Sequence, residues 1–317
     1  MDRPLSKPKP NNPELDNEEE FDNGLVFSLK EDGTYEVSKL NDSLVSEIVI
    51  PDTYQGKKIR SIKNLAFYGC KNLKKIKLPD GLIRIGEFAF EGCDNLAEIS
   101  IPNSVTSIGQ FAFDECTNLV SVQLSENITS IEDGTFAKCG HLNKIEIPNS
   151  VLTIGNNAFF DCRSLTDIIF SENLTTIGER AFGKCGSLTH IVLPNSVTSI
   201  KEEAFFSCLN LISVVLPDNL MRIAKETFFD CESLTDITFP KELAGIGESA
   251  FAGCYKLKTV TLPGGLAVLR SSAFDYCGSL NTLSFEGTIN EWFFLTQSVG
   301  FNSGAVVHCT DGDVVIK

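Results

Sequence analysis

Apolar residues recur along this chain at a fixed interval of 23 residues. Three columns, occupied by Phe, Cys and Leu, have no exception over ten consecutive copies. The Phe column is Phe67, Phe90, Phe113, Phe136, Phe159, Phe182, Phe205, Phe228, Phe251 and Phe274, and Cys and Leu follow each Phe by three and six residues. A fixed period without insertions indicates a solenoid in which each copy is one structural unit.

Each copy contains a predicted short strand. In the first copy Ile76 and Leu78 are apolar and lie between polar residues, which is the alternation of a strand with one buried face. A Pro usually follows and ends the strand, because it cannot donate to a ladder. A second short apolar run, residues 82–86, precedes the next Ala-Phe. One copy cannot offset an ordering cost of roughly 1.5 kcal/mol per residue, so the copies must stack.

The phrase A-F-x-x-C-x-x-L-x-x-I-x-L-P-x-x-L-x-x-I-G closely resembles the leucine-rich repeat of the bacterial BspA-like, or Treponema pallidum type, family over about residues 40 to 286. The resemblance implies an α/β solenoid that is mostly β. It also implies a right-handed superhelix of 23-residue repeats with parallel strands on the concave face. Short strands and 3-10 or helical turns are expected on the convex side, and hairpin caps at the ends.

The flanking segments differ from the repeats in composition. Residues 1–23 are rich in Pro and acidic residues and predict a disordered tail or linker. Residues 24–40, with an Asp-Gly step between two alternating runs, predict a hairpin cap ahead of the array at 41–286. Residues 287–317 predict a second cap, made of a short helix from Ile289 to Gln297 and a hairpin around residues 310–313.

A net charge of −15 makes nucleic acids and anionic membranes unfavourable partners. No stretch approaches the roughly 18 apolar residues of a membrane span, and none resembles a secretory leader. A basic end is the local exception, and we interpret it as a solvated edge that balances the acidic tail. It consists of Lys57, Lys58, Arg60, Lys71, Lys74, Lys75 and Lys77.

The Cys column predicts neither disulfides nor a metal site. Neighbouring Cβ atoms in one column stay about 4.8 Å apart, whereas a disulfide needs about 3.8 Å. The column is therefore interpreted as a small apolar side chain in a tight corner. No catalytic motif is present, His308 and Cys309 are expected to point to opposite faces, and no enzyme activity or cofactor is predicted. Cys309, outside the array, is the thiol for which reactivity is considered.

The residues that vary inside the strand give a candidate binding face. Ile169, Val192 and Val215 are expected to stack as an exposed apolar strip on the concave sheet, where repeat proteins commonly bind. The neighbouring polar column supplies Asp167, His190 and Asp236. Exposed β-branched residues also simply favour strands, so a structural role is the alternative. A second strip, Phe160, Phe206 and Phe229, either faces out on the convex side or packs under a neighbouring turn.

Two classes of function remain open. The family resemblance implies an adhesin-like protein, secreted or on the cell surface, that binds a protein or glycan ligand from a host, without nucleic acid or membrane insertion and as a monomer. The alternative is an intracellular, cytoplasmic scaffold or assembly protein, which a genuine start at Met1 favours.

Overall fold

The predicted solenoid is confirmed in the computed structural model, which describes residues 18–21, 24–39, 45–295 and 306–315. The chain forms a β-solenoid of about 11 turns with parallel strands, and helix accounts for 3% of it. The described elements are β1 (Glu18–Phe21), β2 (Leu25–Leu29), β3 (Tyr35–Lys39), β4 (Glu47–Val49), β5 (Thr53–Tyr54), β6 (Lys57–Ile62), β7 (Lys75–Lys77), β8 (Arg84–Ile85), β9 (Glu98–Ser100), β10 (Ser107–Ile108), β11 (Ser121–Gln123), β12 (Ser130–Ile131), β13 (Lys144–Glu146), β14 (Thr153–Ile154), β15 (Asp167–Ile169), β16 (Thr176–Ile177), β17 (His190–Val192), β18 (Ser199–Ile200), β19 (Ser213–Val215), β20 (Arg222–Ile223), β21 (Asp236–Thr238), β22 (Gly245–Ile246), β23 (Thr259–Leu262), β24 (Val268–Leu269), β25 (Thr282–Phe285), α1 (Ile289–Leu295), β26 (Val306–Cys309) and β27 (Gly312–Val315).

The strands form two parallel ladders along the array. The first ladder contains the odd-numbered strands from β7 to β25, which begin two residues after each column Leu. The second contains the even-numbered strands from β8 to β24. In the first ladder the middle residue of each strand points into the core and its neighbours point out, as in β17, where Ile191 is buried between exposed His190 and Val192. The alternation read from the sequence therefore places the outward columns on one face.

Pairing in the first ladder changes along the array. The strands pair two by two in the first part, as β4 with β7, β9 with β11 and β13 with β15. From β17 the sheet is continuous through β19, β21, β23 and β25 to β26 and β27. The carboxyl-terminal half of this face is thus one uninterrupted seven-stranded sheet.

The turn around each column Phe has a repeated backbone shape. The residues two before and two after that Phe have positive φ, as at Arg180 (53°) and Lys184 (61°) around Phe182. The N–H groups of Arg180, Phe182 and Lys184 each donate to the carbonyl oxygen 22 positions later in the chain, at 3.1, 2.8 and 2.7 Å. The same three bonds join every successive pair of turns between residues 65 and 275. We call this third set of bonds the turn ladder.

The core consists of stacked columns. All ten column Phe rings stack on their neighbours with centroids 5.1–5.5 Å apart. The Cys thiols from Cys93 to Cys277 are buried beside them. Each donates a weak hydrogen bond to the carbonyl of the preceding repeat's Phe, as Cys162 Sγ does to Phe136 O at 3.1 Å. The Cys column thus fills a corner and also satisfies a backbone carbonyl.

Both ends of the array contact additional strands. The β2–β3 hairpin turns at Gly33 (φ 78°), and β3 then pairs in parallel with β6. At the other end β26 pairs in parallel with β25, while Trp292 of α1 packs against Phe285 with ring centroids 5.7 Å apart. Residues 1–17, 22–23, 40–44, 296–305 and 316–317 lie outside the described part, which includes most of the expected tail and Gln297 of the expected helix. The division of the chain into tail, caps and array stays a prediction.

Candidate functional site

The three residues of the expected apolar strip project from adjacent strands of the first ladder. Ile169 ends β15, Val192 ends β17 and Val215 ends β19, and they are 48%, 66% and 54% exposed. Val192 and Val215 are Cα partners in a hydrogen-bonded pair. Their side chains point away from the core because the middle residue of each strand occupies the inward position. Three branched apolar side chains are therefore presented to solvent side by side.

The polar residues of the same strands are held by the residue that precedes each of them. The Thr166 hydroxyl donates to Asp167 Oδ2 at 3.1 Å, and the Thr235 hydroxyl donates to Asp236 Oδ2 at 2.7 Å. His190 Nδ1 lies 3.0 Å from the Thr189 hydroxyl. The three polar side chains are exposed, so these short-range bonds restrict their rotamers without burying them.

These Thr residues belong to a groove that the sequence reasoning missed. A cavity of about 550 Å³ runs along the start of the strands and is lined by Thr166, Ser187, Thr189, Asn210, Ile212, Ser233, Thr235 and Lys256. The sequence does contain this pattern, because a Thr recurs in the column immediately before Asp167, His190 and Asp236. A hydroxyl column beside the apolar strip adds hydrogen-bonding groups to the face.

The structure does not bring all six predicted residues into one sheet. Val192, Val215, His190 and Asp236 belong to the continuous sheet that begins at β17. Asp167 and Ile169 belong to β15, which pairs with β13 instead. Among the described strands no pairing joins β15 to β17. The candidate face is thus built from two sheets that meet between β15 and β17.

The thiols do not form a chemical centre in the described residues. All eleven are free, and only Cys70 and Cys309 are partly exposed. Burial raises the pKa of the Cys208 thiol to about 12. Burial also raises the pKa of Cys309, and the negative charges of Asp311 and Asp313 raise it further. The raised pKa lowers the thiolate fraction at neutral pH, so the predicted reactivity of Cys309 has no electrostatic support.

His308 has a structural partner. Its Nδ1 lies 2.8 Å from Asp313 Oδ1, across the β26–β27 hairpin. Within the part of the chain that the structure describes, no group of three or more His, Cys, Asp or Glu side chains could hold a metal ion. In the same part no helix is long and apolar enough to cross a membrane.

The second predicted strip is covered in part by a cation. Phe160, Phe206 and Phe229 are half-buried, and the Phe206 and Phe229 rings stack at 5.9 Å. Lys184 Nζ lies 5.2 Å from the Phe160 ring centroid and 5.9 Å from that of Phe206. The ammonium group thus makes cation–π contacts with two of the three rings.

Comparison with known proteins identifies the repeat. The profile of the BspA type leucine rich repeat region matches in six copies over residues 40–166, 83–212 and 198–296. No curated protein matches the chain.

Several solved structures are similar to it. The pneumococcal vaccine antigen PcpA is 18% identical, with 93% of each chain covered and a TM-score of 0.60. A leucine-rich repeat protein from Bacteroides ovatus is 24% identical over 90% of this chain and 98% of that one, with a TM-score of 0.53. The T. pallidum leucine rich repeat protein is 29% identical over 75% of this chain and 91% of its own, with a TM-score of 0.42.

Proposed function

Because the chain belongs to the BspA-type leucine-rich repeat family, a family of repeat scaffolds that are typically non-enzymatic, we propose that it is an adhesin-like recognition protein that binds a protein or glycan ligand. The binding surface is the outward face of the first ladder, which the family resemblance implies is concave. Ile169, Val192 and Val215 supply the apolar contact. Asp167, His190 and Asp236 supply polar contacts beside it.

The exposed strip on adjacent strands is the observation that carries this proposal. Val192 is 66% exposed although it lies in the middle of a folded array. An apolar centre with a polar margin is the usual composition of a protein interface. The Thr hydroxyls that hold Asp167 and Asp236 lower the entropy lost when those carboxylates meet a ligand. Two carboxylates on this face favour a ligand surface with hydrogen-bond donors or cations.

The test measures binding of the purified protein to a panel of host matrix proteins and glycans. The variant is Ile169→Glu with Val192→Lys, which replaces the strip with charges and leaves the buried residues untouched. The matched control is Ile83→Glu with Leu152→Lys, which replaces two exposed aliphatic side chains that precede strands of the second ladder.

We expect the first variant to lose the ligand and the control to keep it, with both showing wild-type circular dichroism. Equal affinity of the folded strip variant and the wild type would place the binding surface elsewhere. If the wild type bound none of the matrix proteins or glycans tested, this result would contradict the proposed adhesin-like role.

A further inference from the structure

A second cavity, on the second ladder, has a mainly basic lining although the net charge of the protein is negative. It has a volume of about 550 Å³ and lies over β18, β20, β22 and β24. Its lining contains the basic side chains of Lys201, Arg222, Lys225 and Arg270, against the single carboxylate of Glu202. The whole chain has a net charge of −15. We call this cavity the Gly245 trough.

A single missing side chain opens the trough. The outward column of the second ladder reads Arg84, Ser107, Ser130, Thr153, Thr176, Ser199, Arg222, Gly245 and Val268. A Cβ built at Gly245 would lie 3.6 Å from Arg222 Cγ and 3.7 Å from Val268 Cβ, which are ordinary contacts. The backbone at this position therefore does not require Gly. Its effect is to leave a gap between Arg222 and Val268.

The cations around this gap differ in their contacts. Lys225 Nζ lies 3.4 Å from Glu226 and 3.8 Å from Glu248, and these carboxylates raise its pKa. Lys201, Arg222 and Arg270 are exposed, and none has a carboxylate within salt-bridge distance in the described ranges 24–39, 45–295 and 306–315. Three cations without a salt bridge thus line one cavity. Such an arrangement attracts anions, and Arg forks fit carboxylate and sulfate groups.

The shape of the trough indicates an extended ligand. Lys201 follows β18 and Arg270 follows β24, three strand spacings away, or about 14 Å at about 4.8 Å per strand. The floor strands β20, β22 and β24 are hydrogen-bonded to one another, so a peptide finds no free strand edge there. Thr198 and Ser199 add hydroxyl groups to the wall. In the described lining no aromatic ring is available to stack on a neutral sugar.

We propose that the Gly245 trough binds an acidic oligosaccharide, with Lys201, Arg222 and Arg270 holding its carboxylate or sulfate groups. This site is separate from the first-ladder face and does not depend on the function proposed for it. The net negative charge repels polyanions from most of the remaining surface. The basic end at residues 57–77 is the exception, and Arg84→Ser, in the strand paired with β6, is the control for binding there.

The experiment uses the full chain and measures the affinity of heparin-derived sulfated hexasaccharides and oligogalacturonates by calorimetry at two salt concentrations. Gly245→Thr fills the gap with a side chain that Thr153 and Thr176 already place in this column. Arg222→Ser removes one cation, and Arg84→Ser removes the same charge from the same column six repeats earlier. Circular dichroism checks that each variant is folded.

We expect Gly245→Thr and Arg222→Ser each to weaken binding about tenfold, since one charge-assisted contact has about this value, and Arg84→Ser to leave it unchanged. Weaker binding at higher salt is also expected. Equal losses in Arg84→Ser and Arg222→Ser would overturn the proposal in favour of diffuse attraction. Binding of poly-glutamate without either saccharide would assign the trough to an acidic peptide, and no binding of either saccharide would also refute the proposal.

Discussion

Removing one ring from the centre of the Phe stack tests whether stacking between repeats stabilises the solenoid. Phe159 is fully buried, and its ring lies 5.5 Å from that of Phe136 and 5.3 Å from that of Phe182. Replacing a buried Phe with Ala costs about 3 to 5 kcal/mol. Each stacked pair adds roughly 0.5 to 1.5 kcal/mol beyond its buried area. With two partners lost, we expect Phe159→Ala to lower the free energy of unfolding by about 5 kcal/mol.

The matched control is another Phe that stacks outside the core. Phe88 is half-buried, and its ring stacks on Phe111 at 5.2 Å. Phe88→Ala removes the same atoms without opening a core cavity, so we expect a loss of only about 1 kcal/mol.

Urea titration followed by far-ultraviolet circular dichroism measures both variants. A repeat array is stabilised by interfaces between neighbours, so a cavity at one central interface uncouples the two halves. We therefore expect Phe159→Ala to broaden the transition and reduce its slope as well as its midpoint. A midpoint shift no larger than that of Phe88→Ala would refute the reasoning, because it would mean that the column is not what couples the repeats.

Three further outcomes follow from the thiols and the turns. Stability should fall as pH rises above about 8.5, the ordinary Cys pKa in an unfolded chain, because burial raises the pKa of the eight thiols from Cys116 to Cys277 in the folded state. An unfolding midpoint unchanged from pH 8 to 10 would contradict this. Each such thiol lowers stability by about 1.36 kcal/mol per pH unit until its folded pKa is reached. A small disulfide reagent should reach only the two partly exposed thiols, Cys70 and Cys309, in the native protein, and should modify them slowly because their raised pKa lowers the thiolate fraction. It should modify eleven thiols in denaturant, and modification of more than two in the native state would show that the column opens. Positive φ favours Gly over other residues, so Ser249→Gly, at φ 51°, should stabilise the protein by about 0.5 kcal/mol. Gly69→Ala, at φ 66° with no neighbour within 4 Å, should destabilise it by about 1 kcal/mol. The reverse order of melting temperatures would rule out backbone strain as the cause.

The invariant columns could be predicted because they report inward positions. Phe, Leu and the alternating strand residues are apolar at a fixed spacing, and only burial explains that pattern. The outward strip at Val192 was predictable for the same reason, since each inward residue fixes the direction of its neighbours.

The turn geometry was not predictable from residue type. The positive φ positions contain Arg180, Glu203 and Tyr276 as readily as Gly, because the turn ladder stabilises the backbone there whatever the side chain. The sequence pattern does not mark the change in pairing between β15 and β17 either. The Gly245 trough could have been found by aligning the second-strand column, where a single Gly interrupts hydroxyl and longer side chains.

The hydrogen bonds of the turn ladder also have one direction along the chain. In each turn three N–H groups point toward the carboxyl-terminal end, and the carbonyls that accept them point toward the amino-terminal end. Other bonds between the same repeats run the opposite way, as from Thr175 N–H to Leu152 O and from Gly178 N–H to Ile154 O, so the dipoles of the turn ladder are opposed within each repeat. The sense of the turn-ladder bonds along the chain is opposite to that in an α-helix, so each turn extends this ladder by donating to the turn that follows it in the chain.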